Sequence, residues 1–549
     1  MHANATNGTH GYWLPDRNLG GPMIGLEGVR AALMRLNHPV HIVMADGSVS
    51  AGVGGAAVLG QRPVAGESYP VHGYVSALPP ETLGDPGFRA THGVKYNYVA
   101  GEMANAIGSE EIVEAMARCG CIGFFGSAGC STERVEKAIT RIKGNIGNLP
   151  FGFNLIHSPG ETGMEDANID LYLKHGVRTI CASAFMDLTL PMIRYRVSGI
   201  RTDERGNVVT PNHLFAKISR EEVATKFFSP PPAEMLATLV QKGVISEAQA
   251  KMAEKIPVAE DMTAEADSGG HTDNRPAITL IPAMLALRDR LAEKFNYDRP
   301  LRVGAAGGIA TPWSVMTAFA MGADYVLTGS INQACVEAGT SDFVRDLLLQ
   351  ATQVDVIMGP AADMFEMGVN VQVLKRGTMF AMRARKLYEL YKAHNRIEDI
   401  PPATKAQLEK DFFRKPLEEI WNETADFFKT RDPKQLEVAA RDPKHKLALI
   451  FRWYLGRSSK WANTGDATRK LDYQIWCGPA MGAFNEWAKD SFLDKVENRH
   501  VDTLALNLMI GAAYLTRLRW LANQGVRLAP TIERFRPLQP AEWPAWIGK

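Results

Sequence analysis

Residues Glu265 to Pro276 read EADSGGHTDNRP, which sets an imidazole, His271, behind two glycines at the end of the run IPVAEDMTAEAD. A histidine held there can move a proton near neutral pH or aim a hydrogen bond at a developing negative charge. Lys217, in FAKIS, ends another apolar run. Its plainer role is a packed stem whose amine pairs with a carboxylate; the sharper one is contact with substrate or cofactor. His157 closes NLIHSP in the same way, and Arg275 is available either to a phosphate or to a helix cap. His41, His175, His394, His445 and His500 read as structural or merely exposed.

Glycine, serine and asparagine crowd the ends of the other apolar runs: GEMANAIGS, GSAG, AAGGIATP and TGSINQ. Bare backbone lets N–H groups approach a ligand closely, and a helix N-terminus favours negative charge. VGAAGGIATP (Val303 to Pro312) and VLTGSINQA (Val326 to Ala334) form a matching pair. A single G-G is more simply a tight turn. Two such loops at successive run ends favour a phosphate site on Gly307, Gly308, Gly329 and Ser330.

These residues need a scaffold that brings run ends together. YNYVAGEM, CIGFFGSAG, LPFGFNLIHSP, VRTICASAF, HLFAKIS, IPVAEDMTAEAD, LRVGAAGG and ADYVLTGS are eight candidate strands, most of them followed by a helix-length segment. Apolar strands alternating with helices predict a parallel sheet. The class is α/β, and the number of units favours a (β/α)8 TIM barrel, whose active site lies at the C-terminal strand ends and whose last two loops commonly hold phosphate. The barrel is expected over 94–345. Insertions near 194–256 comprise a hairpin in RYRVSGIRTDERGNVVTP and two helices in SPPPAEMLATLVQKGVISEAQAKMAEK. Residues 1–93 read as a small α+β unit, with YPVHGYVSALPPETLGDPG as a loop-like boundary. Residues 346–549 read as a helical cap or docking region, in which VLKRGTMFAMRARKLYELYKAH is helical throughout.

Composition narrows the classes. The chain has 549 residues, 46% hydrophobic and 22% charged, with a formal net charge of +1, so no global basic field points to nucleic acid. Its six cysteines form no C-x-x-C pair, which argues for buried thiols in a reducing cytosol and against a metal site. TLALNLMIGAAYLTRLRWLA is interrupted by Asn507, Arg517 and Arg519, and reads as a buried helix rather than a membrane span. No signal peptide is read at the N-terminus, and a cytoplasmic enzyme is expected. No G-x-S-x-G elbow and no separate dinucleotide-binding βαβ unit are present.

GEMANAIGSEEIVEAMARCGCIGFFGSAG, FGFNLIHSP, EADSGGH, RVGAAGGIATP and ADYVLTGS, in that order, resemble the blocks of FMN-dependent enoyl reductases and nitronate monooxygenases. ADSGGHTDNRP, AKISREEVATKFFSPPP, GPAADMFEMGVNVQVLKRGTMFAMRARKLYELY and MIGAAYLTRLRW narrow the resemblance to PfaD-type trans-acting enoyl reductases of polyunsaturated fatty acid and polyketide synthases. It covers most of the chain beyond the first twenty residues. It implies FMN as cofactor, NADPH or NADH as hydride donor, and an enoyl thioester on an acyl carrier protein as substrate. Nitronate monooxygenation is the alternative. Carried over, the flavin would meet backbone at Met103 and Ala104, bond Asn154, lie close to Glu265 and pass along Gly269 and Gly270. Its phosphate would rest on Gly307, Gly308, Gly329 and Ser330, with the catalytic candidate His271 over the flavin face; Lys217 is a second candidate, for contact with substrate or cofactor. Homodimerisation is left open. The basic stretch with Lys375, Arg376, Arg383, Arg385 and Lys386 is either a solvated face or a dock for an acidic carrier.

Overall fold

The computed structural model describes residues 10–60, 62–157 and 162–548. The eight expected strands form a closed parallel barrel: β1 (Tyr98–Ala100), β2 (Ile122–Phe125), β3 (Gly152–Ile156), β4 (Thr179–Ser183), β5 (His213–Ile218), β6 (Asp261–Glu265), β7 (Arg302–Ala306) and β8 (Val326–Thr328). Neighbours follow chain order and β8 pairs with β1. The strands are mostly apolar because they are buried on both sides, by the bore and by the helical ring, and their few polar side chains, such as Asn154, Lys217 and Asp261, are paired.

The lower end of the barrel is plugged. Helix Pro86–His92 inserts Phe88, which stacks on Tyr325 at 4.6 Å and meets Phe215 edge-on at 5.9 Å. Beside it, buried Asp261 opens β6, accepts from Arg302 at 2.5 Å and 3.1 Å, and pairs with His92 at 2.9 Å. Burial opposes charge on Asp261, but Arg302 and His92 outweigh it and hold the carboxyl well below its ordinary range.

The insertions form as read: Arg201–Thr202 pairs with Val208–Val209, and helices Ala233–Gln241 and Glu247–Ala253 follow. Elsewhere the structure departs from the sequence reading. Tyr69–Val75, in the stretch read as loop, is an inner strand of a six-stranded antiparallel sheet; alternation of Val71, Gly73 and Val75 toward the interior outweighs its Pro and Gly content. Beyond residue 345, Val356–Pro360 and Asn370–Leu374 are strands, so the helix read through VLKRGTM begins only at Phe380. Asn370–Leu374 pairs with Val356–Pro360 on one side and with Gly270–His271 on the other.

The ring of helices is completed from far away in sequence. After β8 the chain makes only short helices, Ser330–Gln333 and Asp342–Leu349. The buried helix Val501–Asn523 packs between Pro312–Ala320 and Glu110–Cys119, filling the vacant place. Gly511 permits this, since a Cβ there would lie 2.7 Å from Pro312. The same helix carries Arg517, fully buried, whose guanidinium donates to the backbone oxygens of Leu33, Arg35 and His38 at the end of the N-terminal unit's helix Gly25–Met34. Among the described residues, no helix is long and apolar enough to cross a membrane.

Candidate active site at the upper strand ends

Lys217 on β5 reaches Glu102, just past β1, at 3.1 Å, and Glu265, at the end of β6, at 3.2 Å. In an eight-stranded ring β1 and β5 stand opposite each other, so the first pair bridges the bore and floors its upper mouth. Burial disfavours the ammonium, but Glu102 and then Glu265 outweigh it and raise the pKa above the ordinary lysine value. Lys217 is therefore a fixed cation across the working pH range. The Oε2 atom of Glu102 is buried and has no hydrogen-bond partner among the described residues. That orphaned oxygen is costly unless something else supplies a donor.

His271 lies at the edge of this floor. Pairing of Gly270–His271 with Val371–Gln372 turns the loop after β6 into a short strand. Its Nε2 meets Asp363 Oδ1 at 3.1 Å, and a third of its side chain remains open. Burial opposes protonation, but Asp363 outweighs it, with help from Glu265, and the imidazole pKa lies above its ordinary value. Asp363 is correspondingly lowered: desolvation acts against its charge, and His271 overcomes it. With Nε2 committed to Asp363, proton exchange falls to Nδ1. Gln372 holds this loop by donating to Asp267 and to the Ser268 carbonyl, both at 2.8 Å.

The two glycines before His271 have a structural cause. A Cβ on Gly269 would lie 2.9 Å from backbone atoms of Cys477 and Gly478. Gly270 has φ +83, a left-handed conformation that suits glycine. The segment around Trp476 to Gly478 crosses here: Cys477 N–H donates to Gln372 O at 3.4 Å, and Gly478 N–H to Ser330 Oγ at 3.1 Å. It clasps the ends of β6 and β8 together.

Gly307 and Gly308, after β7, have φ +78 and +74. A Cβ on Gly307 would strike Ala266 at 2.5 Å, whereas one on Gly308 or Gly329 would meet nothing within 4 Å. Those two open positions flank adjacent strand ends. The helix start beyond Gly308 is already capped, since Thr311 Oγ1 accepts from Ser314 N–H and Ser314 Oγ accepts from Thr311 N–H. Asn154 is buried, its amide donating to Cys181 O at 3.1 Å and Ser183 Oγ at 2.8 Å. Met103 and Ala104 lie in a tight loop: Gly108 N–H donates to Met103 O, Ile107 N–H to Ala104 O, and a Cβ on Gly126 would lie 1.6 Å from Met103 O. Next to them Asn105 and Ala106 hold left-handed φ of 59 and 57. Asn105 donates to Ser459 Oγ at 3.1 Å, tying helix Pro443–Thr464 to the mouth.

Lys217, Glu265 and His271 are thus brought together, and Gly307, Gly308, Gly329 and Ser330 lie on neighbouring loops. His157 sits 3.6 Å from Glu165, and Arg275 is exposed. Sequence reasoning missed Glu102, Asp363, Gln372 and the 476–478 clasp. Only Glu102 left a local signal, in GEM. A cavity of about 430 Å³ lies instead against the N-terminal sheet, lined by His10, His41, Tyr74 and Gln524 among others, with no barrel residue. No cluster that could hold a metal ion occurs among the described residues.

Comparison with known proteins fits this geometry. Residues 394–473 match the inserted helical domain of [acyl-carrier-protein] S-malonyltransferase. The chain is 46% identical over 440 residues to the polyketide biosynthesis protein PksE of Bacillus subtilis, covering 80% of this chain and 57% of that one. It is 41% identical over 514 residues to a component of the polyunsaturated fatty acid synthase of a Thraustochytrium species, covering 91% of this chain and 33% of that one. It spans less than two thirds of either relative. The crystal structure of the enoyl reductase domain of MlnA, from the macrolactin cluster of Bacillus amyloliquefaciens, superposes with a TM-score of 0.77 at 40% identity, over 80% of this chain and 99% of that one. The nitronate monooxygenase model matches residues 87–404, more than half the chain and all eight barrel strands, and the protein belongs to that family.

Proposed function

We propose that the protein is an FMN-dependent enoyl reductase, using NADPH or NADH to reduce the 2,3-double bond of enoyl thioesters borne by an acyl carrier protein during polyketide or polyunsaturated fatty acid assembly. The observation that carries this reading is likeness along 99% of the MlnA enoyl reductase domain, joined here to His271 paired with Asp363 at the barrel mouth. The residues fit the cofactor: Gly308 and Gly329 leave room for its phosphate, and the orphaned Glu102 oxygen awaits a donor. When bound, FMN would relay hydride from the nicotinamide to the β-carbon of the substrate.

The chain's own residues supply the rest. His271, whose protonated form Asp363 favours, has Nδ1 free of that contact to stabilise negative charge on the thioester oxygen or deliver the α-proton. Lys217 is held as an ammonium by two carboxylates, which makes it a poor proton donor and a good fixed charge. The clasp at 476–478 and the helix bearing Ser459 border the mouth.

The test is a spectrum followed by turnover. Purified protein is expected to be yellow and to oxidise NAD(P)H when given a crotonyl thioester. A colourless preparation that FMN cannot reconstitute would sink the proposal. Nitronate monooxygenation is the second reading, favoured by the family model over 87–404. It predicts oxygen uptake with a nitroalkane in the absence of NAD(P)H.

A further inference from the structure

The basic stretch at 375–386 does not behave as one surface. Arg383 is drawn inward to buried Asp472, and Arg376 pairs with Asp355 at 3.1 Å. Lys375 and Lys386 are exposed and form no ion pair with described residues, and exposed Arg385 spends one donor on Met358 O at 3.2 Å. Among these cations stand Met382, 64% exposed, and Met379, 38% exposed. The acids on this face are Asp355, already paired, and Glu389, one turn beyond Arg385. The result is a locally cationic face with an apolar centre on a chain whose net charge is only +1.

Its position matters as much as its charge. Helix Phe380–Ala393 packs on the edge strand Val356–Pro360, in which Met358 pairs with Gln372, and Gln372 pairs with Gly270 beside His271. Two strand spacings, roughly 10 Å, separate the edge from the catalytic histidine's strand. A partner seated on this helix face is within a short tether of the mouth.

We infer that the face formed by Lys375, Met379, Met382, Arg385 and Lys386 docks an acidic carrier domain, which delivers its thioester past the three-stranded sheet to His271. The inference rests on the enoyl reductase reading above. The complementarity is between these cations with their two methionines and a carrier helix bearing carboxylates around an apolar centre; opposite charges of this kind act chiefly on encounter rate.

The experiment uses the reconstituted full chain and two substrates, crotonyl carrier protein and crotonyl pantetheine. The double variant Lys375→Glu, Lys386→Glu removes no internal contact. It is expected to lower kcat/KM for the carrier substrate about tenfold through KM, to flatten its salt dependence, and to leave the free pantetheine thioester unaffected. Met382→Asp, made separately, is expected to weaken carrier binding measured by fluorescence titration without turnover. Equal kinetics of the double variant and the parent on the carrier substrate would overturn the proposal, as would equal loss on both substrates. If the parent protein reduces neither thioester, the enoyl reductase reading fails and the docking proposal falls with it.

Discussion

At the scale of single residues, the site separates two kinds of charge. Lys217 is a permanent cation and His271 a titrating one. The proposed role of His271 predicts that His271→Ala lowers kcat by about 100-fold or more. Asp363→Asn tests the cause of its charge: losing the carboxylate lowers the imidazole pKa, so the fall in kcat/KM on the alkaline side should move to lower pH while the protein stays folded. The linkage has a definite sign. A raised His271 pKa contributes stability that is present at low pH and lost as pH rises through the folded-state pKa; a lowered Asp363 pKa contributes stability lost as pH falls. The pair therefore stabilises most in the interval between the two titrations, and Asp363→Asn should cost most there. Lys217→Met strands Glu102 and Glu265 beside one another and should cost about 3 kcal/mol in denaturant unfolding. Adding Glu102→Gln should recover part of that loss.

At the scale of elements, Gly269 and Gly329 make opposite predictions. Alanine at Gly269 would force apart two crossing backbones. Hydrogen exchange at the Cys477 and Gly478 amides should then quicken. Alanine at Gly329 meets no protein atom within 4 Å and needs no unusual φ, so stability should stay within about 0.5 kcal/mol. If the phosphate lies there, FMN affinity measured by fluorescence quenching should fall. The barrel was legible in the sequence because its strands are short, largely apolar runs spaced by helices. The glycine pair was legible as a special place, though a crossing segment explains it as directly as a ligand. The partners of His271 and Lys217 were not legible. Asp363 lies 92 residues from His271, and Glu102 meets Lys217 across the bore, pairings that closure of the fold creates and no local period encodes. The strand Tyr69–Val75 was hidden by its Pro and Gly, and Asn370–Leu374 by the helical text that follows it.

At the scale of the whole molecule, the division drawn at residue 345 is crossed by the structure, because Val501–Asn523 is part of the barrel wall. Its Arg517 also fastens the N-terminal unit. Arg517→Met would remove the guanidinium donor from the carbonyls of Leu33 and His38, while that of Arg35 keeps the His38 N–H. It should cost about 3 kcal/mol and release the N-terminal sheet to proteolysis before the barrel itself unfolds.

Order of synthesis and order of completion run opposite to each other as a result. A ribosome delivers all eight strands well before the helix that covers the flank where the first and the last of them pair. Until then the nascent chain presents an apolar seam on the flank of the cylinder, directly beside the strand whose loop carries Gly329. Ligand capture and final closure should therefore be late, coupled events, and the unfinished seam is where a chaperone would be expected to bind.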